Sequence, residues 1–518
     1  MDERIQSALR LLPDYLARHV VLSASALALG IMLGLPLGLW LVRNPRLRWS
    51  ALAAASFVQT IPGLALLALF YPLLLGLSAF TDSLFGFRIP ALGFLPSLLA
   101  LTLYSMLPIL RNAVAGLTGL DPAVMEAASA VGMTARQRLL RVEIPLAAPV
   151  VMAGIRTAAV WTIGAATLST SVGQTSLGNY IFTGLQTENW IFVLFGCAAA
   201  AAFALVVDQI LGLIETGAIA RDARRIWLGV GFIAVGLAAA LMPLLAGGAR
   251  GYLVGAKNFS EQFILAELIS ERLQGQGVAV ARKEGLGSAV AFRALAGSDI
   301  DVYVDYSGTL WANVLARTDT PASDAMLSAL TAELAQRFGV TLLGPLGFEN
   351  AYALAMRRER ASALGIATIA DLARHAGELE FGSDLEFLSR PEWTALKTAY
   401  GLNFKAQRSY TPTFMYRALD SADVDVISAF SSDGRIAAQG LLVLADPMHA
   451  LPSYDAVVLL SPRRAKDELL RRALSPLIGK ISVEHMREAN FMVDRDTDKA
   501  TPQEAARFLA GAAGLGAP

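Results

Sequence analysis

The spacing with the most specific chemical meaning in this chain is Glu126-Ala127-Ala128, followed by Gly132 and then by Val142-Glu143-Ile144-Pro145. Two small alanines let a short helix settle close in a groove of another protein, Gly132 permits a turn, and Pro145 fixes where the next helix begins. Bond-making motifs are missing: the sequence has no G-x-x-x-x-G-K-[ST] phosphate loop, no nucleophile elbow and no dinucleotide loop. The chain is therefore not expected to hydrolyse ATP. His19, His375, His449 and His485 are scattered, match no metal spacing and read as surface or structural residues. The single cysteine, Cys197, excludes an intrachain disulfide and a cysteine metal cluster, and its apolar surroundings read it as a small buried hydrophobe. A net charge of zero without a basic tail gives no reason to invoke nucleic acid.

The elements that carry these residues fall into two halves. Residues 20–246 are dominated by Leu, Ala, Val, Ile, Phe and Gly and contain no Lys, whereas charged residues recur every few positions from Lys257 onward. At 518 residues, two or more domains are expected. Apolar stretches of about 20 residues, enough to cross a bilayer, run over Val20–Val42, Ala51–Leu75, Leu92–Leu110, Pro149–Leu168, Ile191–Leu213 and Ile226–Leu245. The first is too long for a signal-peptide core and reads as a retained helix. Arg43, Arg46 and Arg48 follow the first span, Arg136, Arg138 and Arg141 lie between the third and fourth, and Arg221, Arg224 and Arg225 follow the fifth. Positive residues near span ends stay cytoplasmic, so these three loops are expected inside. The opposite loops hold little charge, Asp82 and Arg88 after the second span and Glu188 after the fourth. Arg4, Arg10 and Arg18 argue mildly the other way, in a tail that also holds Asp2, Glu3 and Asp14. Six crossings then leave everything after Gly247 outside.

From Tyr252 short β-like runs alternate with amphipathic helical stretches. Strands are expected at Tyr252–Ala256, Val278–Arg282, Ile300–Val304, Val340–Leu343, Tyr352–Met356, Val424–Ser428 and Ala456–Leu460, and helices at Glu261–Gln274, Ser323–Arg337, Ile369–Arg374 and Ala465–Leu477. The alternation predicts an α/β fold with largely parallel sheets, in two lobes, with ligands beyond the carboxyl ends of the strands. The fold class is thus an α-helical transmembrane domain of about six spans followed by an α/β two-lobed domain. Its boundaries are 1–246 for the membrane domain, 247–251 for a linker within Ala246-Gly-Gly-Ala-Arg-Gly251, and 252–518 for the soluble domain.

The Glu126-to-Pro145 pattern resembles the coupling loop of type I ABC importer permeases, and it falls in a segment that the arginines independently place in the cytoplasm. The membrane half resembles more narrowly the osmoprotectant permeases, those importing glycine betaine, choline or carnitine, at residues 103–112 (Leu-Tyr-Ser-Met-Leu-Pro-Ile-Leu-Arg-Asn), 153–156 (Ala-Gly-Ile-Arg) and 176–181 (Ser-Leu-Gly-Asn-Tyr-Ile). The soluble half resembles the binding proteins of the same group at residues 257–262, 301–309, 347–352 and 431–436. The resemblance implies a periplasmic-binding-protein fold, a separate ABC ATPase subunit docking on Glu126, Ala127, Ala128, Gly132 and Pro145, two permease subunits around one path, and a place in the inner membrane. ATP would be used by the partner, with no cofactor in this chain. Arg111 and Arg156 read as membrane-interface residues whose stems reach out of the apolar layer.

A trimethylammonium head cannot donate ordinary hydrogen bonds and is held by ring faces, at about 0.5 to 2 kcal/mol per ring. By resemblance the cage is Tyr306, Tyr352, Phe430 and Tyr454, with Gln262, Asn350 and Thr309 as polar contacts. Strand alternation puts Tyr303 and Asp305 on one face and Tyr306 on the other, and Tyr306, at the strand's end, is the tyrosine expected in the cleft. Where the family often shows Arg-x-Asp-Gly, this chain reads Arg390-Pro391-Glu392-Trp393. Arg390 either binds a ligand carboxylate bidentately or pairs with Glu386 four residues earlier, and Trp393 is either a further ring or a core residue. Choline, glycine betaine, carnitine and ergothioneine all fit this reading. A membrane-anchored sensor or α/β enzyme is the alternative, and neither has a use for an ATPase-docking loop.

Overall fold

The computed structural model describes residues 3–515 apart from 87–88, 187–188, 247–250, 318, 320, 449 and 496. Arg88, Glu188, His449 and residues 247–250 of the expected linker therefore lie outside the described residues. The chain forms two compact units, one of residues 1–182 and 190–248, the other of residues 183–189 and 249–518.

Among the described residues the first unit contains six helices long and apolar enough to cross a membrane, Ala8–Arg43, Gly63–Phe85, Phe94–Thr118, Ala135–Val172, Trp190–Ala220 and Ala223–Met242. The expected second span, Ala51–Leu75, is corrected to two helices, Pro45–Thr60 and Gly63–Phe85. Pro62 offers no N–H, and the residue before a proline is driven from helical geometry; Ile61 is extended at φ −69°, ψ 126°. The first helix begins at Glu3, well before Val20, and runs for 41 residues.

Close helix packing rests on small residues, because lipid provides no hydrophobic drive between helices. Gly30, Gly34 and Gly38, one turn apart, face Ser105, Ile109 and Ala113 of the third span; a Cβ on Gly30 would lie 1.9 Å from Ser105 Oγ, and one on Gly38 2.9 Å from Ala113 Cβ. His19 is buried and structural: the Leu177 N–H donates to Nδ1 at 3.4 Å, leaving Nε2 to donate to the Ile163 carbonyl at 3.1 Å. Cys197 is exposed on the helix Trp190–Ala220, which corrects its reading as a buried residue; an apolar side chain on a membrane helix needs no cover from the protein. Arg111 donates to Ser56 Oγ at 2.8 Å, and Arg156 is held by Asp208 and Glu215.

In the cytoplasm-assigned segment Asp121 caps the helix Pro122–Ala130 by accepting from the Ala123 N–H, and Gly132 turns the chain at φ +80°. Thr134 and Gln137 form a capping box that starts the next helix. Pro145 does not begin that helix. The chain is already helical from Ala135, and a wide π turn at Leu139–Glu143 immediately precedes the helix Ile144–Ala166 in which Pro145 sits. The wide turn takes up the hydrogen bond that a proline cannot make.

The second unit holds two five-stranded sheets. One has the order β2-β1-β3-β10-β4, from β1 (Tyr252–Lys257), β2 (Val280–Leu286), β3 (Val302–Tyr306), β4 (Thr341–Glu349) and β10 (Asp455–Leu460). The other has the order β7-β6-β8-β5-β9, from β5 (Tyr352–Arg357), β6 (Glu380–Ser383), β7 (Ala406–Ser409), β8 (Val426–Phe430) and β9 (Leu441–Val443). The sheets are mixed, not largely parallel: β1 runs parallel to β2 and β3, while β10 runs antiparallel to β3 and β4, and the second sheet repeats this with β5 between β8 and β9. The reason is the chain's route. It leaves the first sheet after β4 and crosses as β5 into the second, then returns as β10, and these two crossing strands are the reversed ones, each inserted next to the edge of its sheet. Helices Val483–Asp494 and Pro502–Ala512 pack against Ser260–Gln274, the helix after β1.

A Cβ on Gly178 would lie 1.9 Å from the Thr167 carbonyl oxygen, a backbone atom that cannot turn aside as a side chain can. Gly178→Ala should destabilise the membrane unit by about 1–3 kcal/mol or more, seen as a lower melting temperature in detergent; an unchanged melting temperature would mean that this connection yields without cost.

Candidate ligand-binding site

A cavity of about 460 Å³ opens in the second unit, within the range of sites for small molecules. Its polar foundation is Glu261, in the first turn of the helix after β1 and buried. Tyr306 Oη at the end of β3 donates to Glu261 Oε1 at 2.5 Å, and Asn350 Nδ2, in the crossover to the second sheet, donates to the same oxygen at 3.0 Å. Ser432 Oγ, past β8, donates to Oε2 at 2.5 Å, and Asn490 Nδ2, on the helix Val483–Asp494, does so at 2.9 Å. Burial pushes this carboxyl up, while the four donors hold it down. Gln262 Nε2 donates to Tyr306 Oη at 3.0 Å, which fixes the ring from its other side.

Six aromatic side chains line the cavity among the described residues, Phe259, Tyr306, Tyr352, Tyr410, Phe430 and Tyr454. Phe259 lies 6.2 Å from Tyr306 and 6.4 Å from Phe430, its plane nearly parallel to the latter's at 5°. Tyr352 lies 5.0 Å from Phe430 and meets Tyr454 edge-on at 5.5 Å and 85°. Two rings already carry a cation of the protein: Lys257 Nζ, ion-paired with buried Asp305, is 5.0 Å from the Tyr306 centroid, and the Arg390 guanidinium is 5.2 Å from that of Tyr352. Burial pushes the hydroxyls of Tyr306, Tyr352 and Tyr454 well above the usual phenol range, so all three are neutral. Tyr454 donates to Glu392, and its ring rests on Gly308, where a Cβ would come within 2.8 Å of two ring carbons.

Arg390 pairs with Glu386 at 2.5 Å, as its spacing allows, and with Glu392 at 3.4 Å, yet its buried Nε has no partner among the described residues. Asp384 uses Oδ1 to cap the short helix Leu385–Ser389, accepting from the Phe387 N–H at 2.8 Å, while its buried Oδ2 has no partner and burial pushes the carboxyl up. Ser260 Oγ donates to Asp494 at 2.5 Å, and burial pushes Asp494 up to about 6.

Of the residues read from the sequence, Tyr306, Thr309, Asn350, Tyr352, Arg390, Phe430 and Tyr454 line the cavity together, and Gln262 stands behind Tyr306 without lining it. Tyr303 is turned away and donates to Asp305, and Trp393 stacks on Phe381 at 4.9 Å as a core residue. The sequence reading missed Phe259, Glu261, Asp384 and Asn490. Phe259 and Glu261 lay inside a quoted segment, where Glu261 resembled an ordinary first-turn acid. Asp384 had the signal of an N-cap, and Asn490 had none.

Residues 253–510 match the family described as the substrate binding domain of ABC-type glycine betaine transport system, and residues 27–219 match the binding-protein-dependent transport system inner membrane component. The choline transport system permease protein of Bacillus subtilis is 36% identical over 197 residues, which are 38% of this chain and 83% of that protein. The chain belongs to the osmoprotectant ABC importers. It joins their permease and substrate-binding domain in one polypeptide. A protein of Helicobacter pylori described as an ergothioneine transport permease/ergothioneine binding protein matches across both halves of the importer, 28% identical over 482 residues, 90% of this chain and 84% of that protein. A solved structure described as a glycine betaine/carnitine/choline ABC transporter covers 50% of this chain and 97% of its own, with 26% identity and a TM-score of 0.44. The importer is a multi-pass inner-membrane transport subunit, not an enzyme, and its family works with an ATPase partner and a small-molecule ligand.

Glu261→Gln keeps the shape but turns one acceptor into a donor facing donors. Melting of the full chain should show a loss of about 1–3 kcal/mol, with weaker ligand binding as Tyr306 loses its anchor. Unchanged melting and affinity would show that the four donors rearrange without penalty.

Proposed function

We propose that this importer captures a small quaternary-ammonium compound in the cavity and passes it through its own membrane unit. The observation that carries the proposal is that six aromatic side chains, Phe259, Tyr306, Tyr352, Tyr410, Phe430 and Tyr454, line one cavity together with Arg390, whose buried Nε has no partner among the described residues. Ring faces hold a methylated cation that nothing can hydrogen-bond, and Arg390 suits a carboxylate on the same molecule. Choline, glycine betaine, carnitine and ergothioneine are the ligands to compare. A relative that matches both halves is named for ergothioneine, and the Asp384 Oδ2, which has no partner among the described residues, suits a ligand with an N–H or O–H to donate. The binding unit works outside the cell membrane, a reading that the three arginine-bearing loops support. Two permease units surround one path, and a separate ATPase subunit binds ATP and docks on the exposed residues Glu126 and Ala127, beside the Gly132 turn.

Calorimetric titration of the full chain in detergent against the four compounds tests the ligand class; heat with none of them overturns it. Tyr352→Phe keeps the ring and should bind nearly normally, while Tyr352→Leu removes it and also the seat of Arg390. The Leu variant should lose about 0.5 to 2 kcal/mol, roughly 2- to 30-fold in affinity. Equal losses in both would assign the role to the hydroxyl instead.

Docking is tested separately. Glu126→Ala and Gly132→Asp should abolish uptake and ligand-stimulated ATP hydrolysis in the assembled transporter while ligand binding persists. Normal uptake by both variants would remove the docking role from this segment.

A further inference from the structure

Three ionisable side chains meet inside the membrane unit, apart from the docking segment and the ligand cavity. Arg156, on the helix Ile144–Ala166, donates through Nε and Nη2 to the two oxygens of Asp208, at 2.9 and 2.7 Å, and through Nη1 to Glu215 at 2.6 Å. Both acids belong to the helix Trp190–Ala220. Between them lies Gly212, where a Cβ would stand 3.3 Å from the guanidinium carbon and 3.4 Å from two of its nitrogens. Asp208, Gly212 and Glu215 follow one another on a single helix face, so the glycine is the bed on which the flat guanidinium lies between its two acceptors.

Apolar packing between membrane helices is weakly directional, because the lipid is as apolar as the side chains. A bidentate ion pair is directional, and sliding one helix past the other would strand a charge in a medium that solvates it poorly. The helix carrying Arg156 is also continuous with the segment that emerges from the Gly132 turn, through Ala135–Arg138 and Leu139–Glu143. We propose that the Arg156–Asp208–Glu215 triad is the joint that makes these two helices move as one body when the Glu126–Gly132 segment is displaced, so that the ATPase's stroke reaches both. Arg156 is thus a positioning residue for coupling. This rests on the reading of residues 122–145 as the ATPase-docking segment.

The test uses the full chain reconstituted with its ATPase in proteoliposomes, with uptake and ATP hydrolysis measured on the same samples. Arg156→Met and Asp208→Asn should reach the membrane and hydrolyse ATP, while ligand imported per ATP falls by about 2- to 30-fold. The charge-swapped pair Arg156→Asp with Asp208→Arg should recover most of that ratio. A ratio unchanged in both single variants overturns the proposal, as does a loss of uptake that only follows the amount of protein in the membrane. Should the single variants fail to accumulate, Arg156→Lys decides, since it keeps the charge but cannot engage both acids at once: a lowered ratio supports the joint and a normal ratio overturns it. Glu126→Ala separates the two readings. If it leaves uptake and hydrolysis intact, the docking assignment fails; if it abolishes them while the triad variants keep a normal ratio, only the joint fails.

Discussion

A carboxylate taken out of water must have its lone pairs satisfied from within the protein, and the binding unit is organised around meeting that demand for Glu261. Its four donors come from β3, from the crossover at Asn350, from the loop after β8 and from the helix Val483–Asp494. Those segments are distant in sequence and belong to both sheets. The arrangement converts a single desolvated charge into a requirement that four parts of the chain be in register, since each missing donor leaves the acid short by an interaction that water cannot restore. Tyr306 is the clearest beneficiary. Its hydroxyl is held by Glu261 and Gln262, which fixes the plane of a ring at the cavity wall. A ring fixed in advance loses no rotamer freedom when a ligand arrives.

The membrane unit meets a different demand with different means. Its backbone is satisfied by helix formation alone, so specificity has to come from shape and from the few polar groups inside. The glycines at 30, 34 and 38 let the first and third spans approach until side chains interlock. His19 uses both ring nitrogens on backbone groups of the fourth span and of the connection that follows it. Neither device carries net charge. The Arg156 triad is the exception, and it lies between the helices Ile144–Ala166 and Trp190–Ala220.

Much of this was legible in the sequence, for identifiable reasons. Six spans follow from hydropathy because nothing but a helix can cross lipid alone, and the turn at Gly132 follows from a glycine with a positive φ. The strands Tyr252–Lys257, Tyr352–Arg357 and Asp455–Leu460 are apolar enough to announce themselves. What escaped was whatever depends on a partner remote in sequence. Ala406–Ser409 pairs only with Glu380–Ser383 among the described strands, and Glu380–Ser383 pairs with it and with Val426–Phe430; their own residues have little strand character. Pro62 splits a continuous apolar run that hydropathy alone joins. Asn490 reaches Glu261 from 229 residues away, and no local pattern marks such a residue. The aromatic wall was readable as strand-end rings, but not that Lys257 and Arg390 would already sit on two of them.

The union of permease and receptor in one polypeptide has a consequence for supply rather than for binding. Systems that make the two separately can secrete receptors in excess and let a pool of them sweep the surrounding space. Here synthesis fixes the ratio at one receptor for each permease, so capture capacity can rise only as more transporters are inserted in the membrane. Every loaded receptor has its own permease at hand, and no unloaded stranger competes for the dock from a free pool. Such an arrangement suits a scarce solute wanted in modest amounts better than a bulk solute that must be accumulated quickly.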